Sequence, residues 1–184
     1  CTAPTVVLQS TPVDNITNTG ANLYGNVSNV GGQPLNTRGF QYSTNNTMTS
    51  PTSVSESAIA TGNYSLSSGT LVPNSLYYYR AYAINDCSPS QTGYSHTSAF
   101  PTFTTLHNAP NIGTGSAPTA SSFTANWSAP SGTVGAAAFT YEIQVDDDSS
   151  FGSVNFTANS ISTTSVNVNT GLSASTTYYY RVRA

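Results

Sequence analysis

The chain has 184 residues, of which 37% are hydrophobic and 11% aromatic, and a formal net charge of −3. That is enough apolar material for two cores of about 100 residues each, and it excludes wholesale disorder. Only 6% of residues are charged, and the four basic ones are all arginine: Arg38, Arg80, Arg181 and Arg183. With no basic stripe to neutralise phosphates, nucleic acid is excluded as a partner. No apolar run approaches the ~18 residues of a membrane-spanning helix.

With so little charge, solubility rests on Ser, Thr and Asn. Such a surface repels neighbours weakly, which suits side-by-side or end-to-end packing and equally suits an ordinary secreted protein. No signal peptide is visible, so a mature form or an excised fragment is expected.

Apolar residues alternate in short segments separated by Gly, Asn, Ser and Pro, and no window holds a helical period, so essentially no helix is expected. In chain order, the first half predicts strands at Thr5–Gln9, Ala21–Val27, Thr37–Ser43, Gly62–Leu66, Leu76–Ile84 and Tyr94–Phe103. The clusters 29–34 and 44–51 read as turns. The segment Leu71-Val72-Pro73-Asn74-Ser75-Leu76-Tyr77-Tyr78-Tyr79-Arg80-Ala81-Tyr82-Ala83 is echoed 101 residues later by Leu172-Ser173-Ala174-Ser175-Thr176-Thr177-Tyr178-Tyr179-Tyr180-Arg181-Val182-Arg183-Ala184. That spacing is the size of one small β-sandwich, so the chain reads as a tandem of two similar domains, 1–106 and 107–184. A brief linker between them predicts an elongated, semi-rigid pair. The second half predicts strands at Ser122–Ser128, Phe139–Asp146, Ser153–Phe156, Ser162–Val168 and Thr176–Ala184.

Alternation assigns the interior. Phe123, Ala125 and Trp127 share one face, as do Tyr141, Ile143 and Val145, which makes the two sheets of a sandwich. Trp127 is the expected core anchor of the second domain. In the first, Gly25 stands about where the tryptophan would be, and Phe40 and Tyr42 are expected to fill that volume.

The stretch Leu71-x-Pro73-x-Ser75-x-Tyr77-x-Tyr79-Arg80-Ala81, with its echo Leu172-x-Ala174-x-Thr176-x-Tyr178-x-Tyr180-Arg181-Val182, resembles the fibronectin type III signature. The resemblance implies an all-β fold class: two tandem immunoglobulin-like sandwiches, with Tyr77 and Tyr178 as tyrosine corners whose hydroxyls bond back to upstream backbone. It also turns Tyr79, Ala81, Tyr180 and Val182 inward and Arg80 and Arg181 outward. The segment Thr37-Arg38-Gly39-Phe40-Gln41-Tyr42-Ser43-Thr44 is similar to fibronectin-like repeats of secreted Bacteroidetes surface proteins. In a sandwich of this kind the loop 85–93 lies at the same pole as the N-terminus. A Cys1–Cys87 disulfide is therefore expected; it would contribute roughly 4–5 kcal/mol and imply an oxidising compartment. Two free thiols, or a lipid-modified Cys1, are the alternatives.

The second domain lacks a counterpart of Tyr94–Phe103, its last strand, which leaves an unpaired edge. The chain is expected to be a piece of a longer multi-repeat protein. The sharper alternative is a strand donated by a neighbouring subunit, which would build a head-to-tail filament.

Candidate sites are few. Asp146, Asp147 and Asp148 are weak calcium candidates without Asp-x-Asp-x-Asp spacing. His96 and His107 stand apart from any recognisable acid or nucleophile arrangement, so no catalytic residue and no cofactor is assigned. Tyr78, Tyr82 and Arg183 are expected on an exposed face near Arg80 and Arg181, where aromatics beside arginine stack on sugars or contact proteins. Asn15, Asn26, Asn45, Asn63, Asn126 and Asn155 head Asn-x-Ser/Thr acceptors, which in so Ser/Thr-rich a chain arise by chance. The expected function is a non-catalytic structural and adhesive spacer of a large extracellular bacterial surface protein or fibre. Its expected partners are neighbouring repeats, other subunits or surface glycans. The alternatives are the accessory module of a secreted polysaccharide-degrading enzyme and a eukaryotic receptor ectodomain.

Overall fold

The computed structural model describes residues 1–57, 60–131 and 139–184. The chain divides into two compact units, Cys1–Leu106 and His107–Ala184. Among the described residues both are built of strands, with no helix.

The first unit contains β1 (Thr5–Asp14), β2 (Asn22–Asn29), β3 (Leu35–Ser43), β4 (Thr52–Ser57), β5 (Gly62–Ser67), β6 (Leu76–Asn85), β7 (Thr92–Tyr94) and β8 (Thr102–Thr104). One sheet runs β1-β2-β5; the other runs β4-β3-β6-β7, with β8 also paired to β6. Leu23, Val27, Phe40, Tyr42, Tyr64, Tyr77, Tyr79 and Phe103 fill the space between them.

Three expectations are corrected here. First, β1 does not stop at Gln9. Its pairing breaks after Leu8 and resumes at Val13↔Leu23. Pro12 lies in the irregularity, where its missing N–H costs no ladder bond. Second, β4 went unpredicted because Thr52-Ser53-Val54-Ser55-Glu56-Ser57 offers one apolar residue. It forms as an edge strand on β3, tied by the cross-strand pair Arg38–Glu56 at 2.7 Å. Third, Tyr94–Phe103 is not one strand. β7 pairs with Tyr82–Ile84 and β8 with Leu76–Tyr78, at opposite ends of β6.

The second unit contains β9 (Asn111–Ile112), β10 (Phe123–Ser128), β11 (Tyr141–Asp146), β12 (Phe156–Ile161), β13 (Ser165–Val168) and β14 (Tyr179–Arg183). Its sheets are β13-β10-β9 and β12-β11-β14. Ala125, Trp127, Tyr141, Ile143, Val145 and Val168 form its core. The strand expected at Ser153–Phe156 instead begins at Phe156. The residues before it are held in a turn: Asp147 N–H donates to Asn155 Oδ1 at 2.9 Å and Ser153 N–H to Asp146 Oδ2 at 3.2 Å.

Register also corrects the place of the tryptophan. Leu23 pairs with Leu66 and Gly25 with Tyr64; in the second unit Phe123 pairs with Val168 and Ala125 with Val166. Gly25 is thus the counterpart of Ala125, and Val27 is the counterpart of Trp127. Phe40 and Tyr42 are both buried in this core, as expected, and Tyr64 joins them, its ring 5.0 Å from Phe40. A Cβ on Gly25 would sit 2.8 Å from Tyr64 Cζ, so the glycine is what admits the ring.

Candidate functional site

The pole of the first unit that holds the N-terminus is bolted. Cys1 and Cys87 form a disulfide with Cα atoms 6.1 Å apart, across 86 residues of chain. Beside it Asn85 is fully buried. Its Nδ2 donates to the carbonyls of Thr2 (2.8 Å) and Val30 (2.9 Å), and its Oδ1 accepts from Gln91 N–H at 3.1 Å. One amide side chain satisfies three backbone groups from separate segments, as buried polar groups require.

Both tyrosine corners have the geometry the resemblance implies. Tyr77 Oη accepts from Val72 N–H at 3.0 Å, and Tyr178 Oη accepts from Ser173 N–H at 2.8 Å. Their surroundings differ. Tyr77 is 6% exposed and stacks on Phe103 of β8 at 5.6 Å. Tyr178 is half-buried, because β14 pairs only with β11 among the described residues. The place Phe103 takes in the first unit corresponds to an open groove of about 250 Å³ in the second, lined in part by Phe123, Leu172, Tyr178 and Tyr180. Trp127 is buried against Tyr141 at 5.6 Å, and its indole Nε1 has no hydrogen-bond partner among the described residues.

Asp146, Asp147 and Asp148 are adjacent in sequence but do not converge. Asp146 is fully buried and accepts backbone N–H groups from Asp148 and Ser153. Asp148 is exposed and accepts both N–H and Oγ–H of Ser150; these bonds hold its carboxyl below the usual value. Among the described residues no three His, Cys, Asp or Glu side chains are placed to share a metal ion. His96 Nδ1 meets Ser95 Oγ at 3.0 Å, and His107 packs edge-on to Phe139 at 4.9 Å. Of the acceptor asparagines, Asn126 donates to the carbonyls of Thr114 and Thr124 and to Ser116 Oγ.

The outer face of the β3-β6-β7 sheet gathers polar and aromatic groups. Arg80 packs its guanidinium 3.9 Å from the centroid of Tyr94, which is 37% exposed. Tyr82, expected to be exposed, is buried at 7%. It pairs with Gly39, which carries no side chain, and leans on Tyr94 at 6.5 Å. The outward alternation was right, but alternation alone does not reveal that a neighbour covers the ring. Tyr64 stands beneath, its hydroxyl donating to Gly39 O at 3.0 Å; burial pushes its phenol well above the ordinary value. Sequence reasoning passed over Gln41 and Gln144, which set the arginines on this face in each unit. Their signal was present, since each is the cross-strand partner of an arginine once register is known.

The chain is similar to the sensor domain of the anti-sigma factor RsgI4 of Pseudobacteroides cellulosolvens. The match covers 57% of this chain and 96% of that one, at 18% identity and a TM-score of 0.40. No curated protein matches it. Residues 108–184 match the family model of the fibronectin type III domain, and the fold is accordingly fibronectin type III-like.

Proposed function

We propose that the chain is a non-catalytic structural and adhesive spacer of an extracellular bacterial surface protein or fibre. Fibronectin type III domains are typically non-catalytic and common in extracellular proteins. The bacterial attribution follows the resemblance of Thr37–Thr44, and a disulfide suits an oxidising compartment.

The observation that carries the reading is the clamp between Cys1 and Cys87. Tension arriving at Cys1 passes through sulfur to Cys87. Residues between them bear no load while the bond is intact, and only the stretch from Cys87 to Leu106 can extend in the first unit. A spacer gains from this, because it lengthens little when its fold yields.

Single-molecule pulling between residues 1 and 184 tests it. Two discrete unfolding events are expected. The first unit should yield about 70 Å of extended chain when oxidised and about 370 Å after reduction, at ~3.5 Å per residue, each release being that length less the span of the folded unit. Featureless stretching, as for an unstructured polymer, would overturn the proposal.

A further inference from the structure

The chain has four arginines and no lysine. Two arginines are neutralised within the fold: Arg38 Nε lies 2.7 Å from Glu56 Oε1, and Arg183 Nη2 lies 2.5 Å from Glu142 Oε2. Arg80 and Arg181 make no ion pair among the described residues, although the chain holds seven carboxylates. These two occupy the same place in the repeated strand.

They are also built alike. Arg80 pairs across the sheet with Gln41, and Arg181 with Gln144. In each case Nε donates to the glutamine Oε1, at 2.9 and 2.8 Å. In each case the guanidinium lies on an aromatic ring: Arg80 at 3.9 Å from Tyr94 and 5.6 Å from Phe100, and Arg181 at 4.3 Å from Phe151. The rings come from unrelated places, Tyr94 from β7 and Phe151 from the turn after β11. The same held cation has thus been assembled twice by different routes.

A stack that only stiffened the sheet would be as good with a carboxylate beside it. Here Nε and one face are fixed while the Nη edge meets no acceptor among the described residues. That edge is the fork that takes a carboxylate by two parallel hydrogen bonds. Its rotamer freedom is already lost before a ligand arrives, which favours binding.

We propose that the outer sheet face of each unit is a carboxylate receptor, centred on Arg80 and Arg181, for uronate residues of an acidic polysaccharide. The spacer reading does not require it. Beside Arg80, Tyr94 is 37% exposed and offers apolar surface against which a sugar ring can pack. Ser53 and Ser55, opposite Gln41 and Gly39, are exposed and match sugar hydroxyls. Beside Arg181 the surface forms a concavity of about 230 Å³ lined by Glu142, Gln144, Val182 and Arg183. Glu142 faces it, but its charge is offset by Arg183. One cation per unit suits carboxylates spaced along a sugar chain better than the dense charge of an acidic peptide.

The test follows the four arginine Nε–H resonances of the whole chain by NMR. The probes are tri-galacturonate, its methyl ester and hexa-glutamate. Saturable shifts are expected at Arg80 and Arg181 only, with the ester weaker by about 10-fold or more. Arg80→Lys keeps the charge and loses the planar fork; it should weaken the first site by about 10-fold. Gln41→Ala should weaken it by freeing Nε. No shift up to ~10 mM probe, or equal shifts at all four arginines, would overturn the proposal. Tighter binding of hexa-glutamate would reassign the face to acidic proteins and overturn it as well.

Discussion

The two units carry the same tyrosine strand against differently filled interiors. In the first, Gly25 faces Tyr64 across β2 and β5; in the second, Ala125 faces Val166 across β10 and β13. The large ring sits on β5 in one unit and, as Trp127, on β10 in the other. Interiors are packed near crystal density, so what must be kept is filled volume, not the strand that supplies it. A second contrast lies at the next strand. β6 is covered by β7 and β8, and Tyr79 is 1% exposed; β14 is paired on one side among the described residues, and Tyr180, the counterpart of Tyr79, is only half-buried. The same motif is therefore a buried spine in one unit and an edge in the other.

The largest break in the comparison should come from the disulfide, which only the first unit has. Cys1→Ser with Cys87→Ser should cost the first unit about 4–5 kcal/mol from loop closure over 86 residues. Calorimetry should show that transition falling while the second stays put. Equal losses in both would merge the units into one cooperative body.

Alkaline pH should separate them next. Burial raises the phenols of Tyr64, Tyr79 and Tyr42, all in the first unit, above the ordinary 10.0. A raised phenol pKa means the folded state holds the proton more tightly. That stability is complete below pH 10 and is lost as pH rises above it. Unfolding of the first unit should therefore track tyrosinate absorbance above pH 10; a melting point independent of pH there would contradict the assignment.

The packing swap is sharper though smaller. Gly25→Ala should destabilise the first unit by about 1–3 kcal/mol through overpacking on Tyr64. Adding Tyr64→Val recreates the pair found in the second unit. The double variant should then be less damaged than the summed singles by ~0.5–3 kcal/mol. Strict additivity would mean the two side chains do not share the space.

The smallest effect compares the corners. Tyr77→Phe removes the acceptor of the Val72 N–H in a part-buried corner and should cost about 1–2 kcal/mol. Tyr178→Phe, in a half-exposed corner, should cost less than ~1 kcal/mol. Chemical denaturation resolved by unit would measure both.

Much of this was readable before folding was considered. Alternation at Tyr77–Ala83 and Phe123–Trp127 showed strands and their inner faces, and the echo of the tyrosine segment showed its repetition. The serine-rich β4 was invisible because a single apolar residue, Val54, cannot establish a period. The tyrosine corners were legible through resemblance. The glutamine props of Arg80 and Arg181 were not, because a residue 39 or 37 positions away in sequence becomes a neighbour only through strand register.

By itself the sequence determined the all-strand class, the duplicated spine and the scarcity of charge, since each is a local pattern or a composition. Tertiary structure alone decided that Tyr64 fills the space above Gly25, that Tyr82 is covered, and that among the described residues two of four arginines lie on the sheet face without a carboxylate partner. Those outcomes depend on which strands lie side by side and in what register. A one-residue slip would turn every side chain to the other face.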